Sequence, residues 1–141
     1  MNLVIKKHLN ADTVLNILKT SLELARSKKL NIITATVVDA SGNILGTLKD
    51  DHANALTIDI AFKKAYTASN VGAKTTEIAS WLQQTTTLNA LTSAKNFMAL
   101  GGGVPIVIKG ELVGGLGISG ASTEKEDEDI ALETLKKLNL V

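Results

Sequence analysis

The side chains of this chain that could do chemistry are few: the histidines His8 and His52, the pair Lys64 and Thr67, and carboxylates that include Asp39, Asp50 and Asp51. His52 follows Asp50 and Asp51 directly. Carboxylates beside an imidazole favour its charged form or share a metal with it, and the same three polar residues also make an ordinary surface turn. His8 sits in a polar lead-in, open either to solvent or to a ligand role. Lys64 and Thr67 are one helical turn apart, which sets an ammonium and a hydroxyl on one face. Such a pair grips a carboxylate or phosphate, or it faces water. No spacing brings either histidine to a nucleophile with an orienting acid, so no catalytic residue is assigned.

The backbone offers a second feature. In GGGVPIVIKGELVGGLGISG, Gly101–Gly120, three glycines remove every Cβ from a bend and a β-branched run follows. Lys109-Gly110-Glu111 then interrupts two apolar runs, the pattern of a hairpin whose strands are both expected to be central. Pro105 belongs where no ladder partner is missed. Glycine weakens a strand unless something approaches its backbone, so Gly114, Gly115 and Gly117 ask for a packed helix, a neighbouring subunit or a ligand.

These groups are positioned by a readable series of elements. Val14, Leu15, Leu18, Leu22 and Ala25 mark one face of a helix over 11–28. Two β-rich runs, 30–38 and 44–48, flank the turn cluster Ala40–Asn43 and read as an antiparallel hairpin. A helix capped at Asn54 and ending before Gly72 buries Ile58, Ala61, Phe62, Ala65 and Ala68, and another starts at Thr75 or Thr76. Leu3–Ile5 reads as an edge strand or a lead-in, Phe97–Leu100 as a short strand, and the stretch around 88–94 as a short helix. The last helix starts acidic, at Glu124, Glu126 and Asp127, and ends at Lys136 and Lys137, as the helix dipole prefers. Short connections between strands make the fold α+β, an antiparallel sheet of about five strands flanked by helices in one domain, 1–141.

Composition removes whole classes of function. A net charge of +1, from 15 basic and 14 acidic residues mixed along the chain, and four scattered aromatics argue against nucleic acid. The absence of cysteine removes disulfides and thiolate chemistry. No apolar run is long enough for a membrane span, and MNLVIKKHLNADTVL lacks the apolar core of an export signal, so a cytoplasmic location is expected. Gly115–Gly120 spells G-x-G-x-x-G, but one helix remains after it and no second parallel strand, so a dinucleotide site lacks its setting. Alanine at 121 likewise spoils a nucleophile elbow at Ser119, which reads as a loop or capping residue. Met98 is able to ligate haem iron, but a methionine in an apolar run is ordinarily core.

An ordered set of fragments carries a resemblance. Val37-Val38-Asp39 with Gly42-Asn43, Asp59-Ile60-Ala61 with Lys64–Ala68, Gly102–Pro105, Gly110-Glu111 to Gly114, and Gly117–Gly120 before Ile130-Ala131 together resemble the GlcG/HbpS family. That family includes the C-terminal domain of PduO-type corrinoid adenosyltransferases. The resemblance implies a profilin-like fold, homo-oligomers and, for several members, binding of haem or a related tetrapyrrole. It implies no adenosyl transfer, because that machinery occupies a separate domain of those relatives.

The leading expectation is an oligomeric cytoplasmic protein that binds a flat ligand, haem or another tetrapyrrole. Its site is expected at Asp39, His52, Lys64, Thr67, Gly102, Gly103, Gly115 and Gly117, where glycines admit the ligand and a lysine pairs with a propionate. A second reading is a metabolic accessory protein or enzyme for a small hydroxy- or oxo-acid, with Lys64 anchoring the carboxylate and Asp39 or His52 moving a proton. A purely structural oligomer is the third.

Overall fold

In the computed structural model, which describes residues 2–141, four strands form one antiparallel sheet in the order β2-β1-β4-β3. They are β1 (Thr34–Asp39), β2 (Ile44–Lys49), β3 (Gly103–Ile108) and β4 (Glu111–Ser119). β4 is internal: Thr34 and Asp39 of β1 stand opposite its Ser119 and Gly114, while Gly103 of β3 stands opposite Gly117. Lys109 and Gly110, both at positive φ, make the tight turn between β3 and β4. β3 is an edge strand, so the expectation that both strands of this hairpin are central holds for β4 alone. An edge is where Pro105, lacking an N–H, costs the ladder least.

Four α-helices flank the sheet: α1 (Ala11–Ser27), α2 (Leu56–Val71), α3 (Thr75–Gln84) and α4 (Glu124–Lys137), with a 3-10 stretch at Thr86–Ser93. Asn10 Oδ1 accepts the Thr13 N–H at 2.9 Å and opens α1. Thr123 opens α4 as half of a capping box, its Oγ1 accepting the Glu126 N–H at 3.1 Å and donating to Glu126 Oε1 at 3.2 Å. Gly72, left-handed at φ +78°, closes α2.

The two faces of the sheet are packed by different means. On one, Ile17, Leu18 and Leu22 of α1 and Ile130 and Leu135 of α4 bury against Val37, Ile106, Leu116 and Ile118. Each such side chain contributes about 1.5–3 kcal/mol by leaving water. On the other face α2 lies directly on glycine. A Cβ at Gly115 would meet Ala65 O, one at Gly117 would meet Ala61 O, and one at Gly103 would meet Lys64 O. Of the three objects that could approach these glycines, a helix does.

The strand count is four, against the five expected. Leu3–Ile5 is exposed and pairs with nothing in the sheet, and Phe97–Leu100 is an irregular connection. Both runs are only three or four residues long, at the short end for a strand. Among the described residues no helix is long and apolar enough to cross a membrane.

Candidate functional site

The predicted site residues fall into separate places. Lys64 is 1% exposed despite its charge. It projects from the middle of α2 under the end of β4, where Nζ donates to Ile118 O at 3.0 Å and to Asp127 Oδ2 at 3.1 Å. Asp127, in the first turn of α4, also accepts the Ala121 N–H on Oδ1 at 3.0 Å. Burial pushes the Asp127 carboxyl above the usual carboxylate range, against the opposing pull of Lys64. Lys64 is therefore half of an internal ion pair rather than a free anchor for a carboxylate.

Thr67, buried one turn further along α2, accepts the Met98 N–H on Oγ1 at 2.8 Å and ties the 94–98 connection to the helix. Asp39 closes the β1–β2 turn, taking the N–H groups of Ser41 at 2.8 Å and Asn43 at 3.0 Å. Burial acts to raise its pKa, but the hydrogen bonds from Asn43 and Ser41 outweigh it and hold Asp39 below the usual range. His52 is exposed beyond the other end of β2, in a turn organised by Asp50. Arg26 grips Asp50 with Nε at 2.9 Å and Nη2 at 2.7 Å. That fork is the main reason Asp50 sits below the usual carboxylate range. Asp39 and His52 thus lie at opposite ends of the sheet, and the proton-moving constellation with Lys64 is not assembled. Among the described residues no three His, Asp or Glu side chains come together to hold a metal.

The glycines have the same outcome. Gly103, Gly115 and Gly117 are covered by α2, and Gly102, at φ +127°, is hemmed in by Ile118 O, Lys64 Nζ and Asp127 Cβ. A flat ligand in that slot would have to displace the helix.

Open space lies beside these groups. One cleft of about 370 Å³ has Lys64, Ser119 and Asp127 at its base, Leu56, Ile60 and Leu100 as walls, and the 120–124 loop as its rim. A second, of about 380 Å³, lies at the turn end of the β3–β4 hairpin between Leu9, Ile108 and Val113, with His8, Lys7 and Lys109 around it. Lys7 pairs with Glu111 at 3.2 Å, which brings the N-terminal segment against the hairpin. A third, of about 610 Å³, follows the free edge of β3 against Leu132, Leu135 and Leu140. Asp127 and Ser119 escape sequence reasoning as site residues, because each lies far along the chain from the helix that brings them together with Lys64.

The geometry agrees with comparisons to known proteins. The family model described as "Haem degrading protein HbpS-like" matches residues 9–136. The corrinoid adenosyltransferase PduO of Citrobacter freundii is 33% identical over 124 residues, which cover 86% of this chain and 37% of that protein. A crystal structure of a double mutant of Streptomyces reticuli HbpS superimposes with a TM-score of 0.89 at 32% identity, covering 96% of this chain and 90% of that one. A crystal structure of the PduOC:heme complex does so with a TM-score of 0.83 at 27% identity, covering 95% and 97%. With sequence match and fold in agreement over nearly its whole length, the chain belongs to the HbpS-like family, whose members include the C-terminal domain of PduO.

Proposed function

We propose that this protein binds haem at the turn end of the β3–β4 hairpin, as a homo-oligomer in the cytoplasm, with His8 as the iron ligand. The observation that carries the reading is the cleft there. His8 lines it together with the aliphatic side chains of Leu9, Ile108 and Val113, the ammonium of Lys109 and the Lys7–Glu111 ion pair. That donor set suits haem: apolar walls for the ring, a nitrogen for the iron and a cation for a propionate. When bound, haem would supply the iron centre; the chain would supply the His8 imidazole for the iron and the Lys109 ammonium for a propionate. The haem complex of a relative with the same fold supports the choice of ligand. The run Leu3-Val4-Ile5, exposed along its whole length, supports self-association.

Hemin titration followed at the Soret band tests it. The native chain should give a saturable shift, His52→Ala should match it, and His8→Ala should lose it. A band that moves only as it does with an unrelated protein, or a His8→Ala titration identical to the native one, overturns the proposal.

A further inference from the structure

The two edges of the sheet differ. On β3 the outward groups are taken: Thr75 Oγ1 accepts the Gly103 N–H at 2.9 Å and donates to Gly103 O at 3.4 Å, and Pro105 has no N–H to offer. β2 has no neighbour on its outer side. It keeps step with β1 through Thr36 opposite Thr47 and Thr34 opposite Lys49, and the next pair is bonded, Asp50 donating its N–H to Ile33 O at 2.9 Å. Bonded and non-bonded pairs alternate along an antiparallel ladder, so Thr47 and Lys49 turn their N–H and C=O groups away from β1, to the free edge. The usual guards of an edge are missing there. β2 contains no proline, its irregular register is confined to the turn end, between Ile44 and Gly46, and Lys49 folds its ammonium back onto Asp50 O at 3.2 Å and Ala53 O at 2.9 Å.

Apolar side chains flank this edge. Ile44 and Leu48 of β2 are 55% and 40% exposed, and Leu15 of α1 is 60% exposed. Leu15 shares a helical stripe with Lys19, Leu22 and Arg26, and the grip of Arg26 on Asp50 places that stripe beside β2.

We infer that a second copy of this chain covers the edge, the two β2 strands pairing antiparallel about a two-fold axis at Thr47 so that the two sheets join into one. This rests on the homo-oligomeric part of the proposed function and names the surface it uses. The edge itself selects a second copy as its occupant. About such an axis each Thr47 donates its N–H to the other's carbonyl, and Leu48 comes to lie beside the partner subunit's Gly46, where β2 has no side chain on that face. The axis also sets Lys19 and Glu23, opposite charges one turn apart on α1, against the same pair reversed. With the β3 edge closed by Thr75 and Pro105, pairing stops at two instead of growing into a fibre.

Amide exchange and sedimentation velocity test the pairing. In the native chain the Thr47 amide should be protected from exchange, although one copy alone gives it no acceptor. Leu48→Lys on β2 and Leu15→Lys on α1 should each halve the native mass and speed exchange at Thr47 at least tenfold, with the far-UV circular dichroism and the hemin titration unchanged. Removing residues 2–6 should leave the protection in place; its loss would put the Leu3-Val4-Ile5 run of the second copy on the edge in place of β2 and overturns the pairing. A native oligomer whose Thr47 amide exchanges freely, or native mass in both lysine variants, overturns this interface and leaves self-association standing. A chain monomeric at every concentration overturns both.

Discussion

Lys64 Nζ stands 3.1 Å from Asp127 Oδ2 with both side chains withdrawn from water, so that the middle of α2 is fastened to the first turn of α4 across the end of β4. Buried pairs of this kind contribute little net stability, but losing one partner leaves an uncompensated charge. Lys64→Met is expected to cost about 3–5 kcal/mol in urea unfolding. The double variant Lys64→Met with Asp127→Leu should recover most of that, and an equal loss in both would show that the pair is not the source.

Acid dependence should carry two opposite signs. Burial raises the Asp127 carboxyl, so the folded chain holds that proton more tightly than the unfolded one; its contribution is full at low pH and is lost as pH rises through the raised value. Asp50, lowered chiefly by Arg26, contributes above the ordinary carboxylate range and loses that contribution as pH falls through its folded value. Urea midpoints from about pH 3 to 7 should therefore lose part of their acid-side fall in Asp50→Asn and part of their opposing slope in Asp127→Asn.

Two glycines should respond differently to one methyl group. Gly72→Ala meets open space and costs only its left-handed conformation, about 1 kcal/mol. Gly117→Ala drives a Cβ into Ala61 O and should cost about 3 kcal/mol, at the upper end of overpacking. Thermal or urea unfolding of the two variants side by side gives the comparison; equal losses would mean that α2 yields freely.

Thr67→Val keeps the shape and removes the acceptor of the Met98 N–H. A loss of about 1 kcal/mol is expected, with amide exchange at Met98 faster by about fivefold to tenfold. Unchanged exchange there would mean that the connection is held by other contacts.

Much of the fold was legible because its periods are clean. α1, α2 and α4 lie where their spacing places them, although α2 has Ala55 at its N-cap rather than the expected Asn54, and the two hairpins follow their turn residues. The failures share a cause. Ile58 and Leu15 are apolar yet exposed, while Lys64 and Asp127 are charged yet buried, so the pattern of hydrophobicity misassigned their faces. The expected haem slot failed because glycines at alternate positions of β4 match Ala61, Ala65 and Ser69 four residues apart on α2. A glycine row on a strand and a small-residue row on a helix are complementary surfaces, and recognising that requires knowing which helix crosses which strand. His8 gave no usable signal, since its apolar neighbours Ile108 and Val113 come from the far end of the chain.

The bare seat of α2 on Gly103, Gly115 and Gly117 has a mechanical consequence. With main chain resting on main chain there are no rotamers to flip and no slack to absorb a shift, so helix and sheet must travel together as a rigid plate. The Thr85–Leu100 connection hangs from that plate: its 3-10 stretch buries none of its residues, and Thr67 fastens it by accepting the Met98 N–H and donating to Asn96 O.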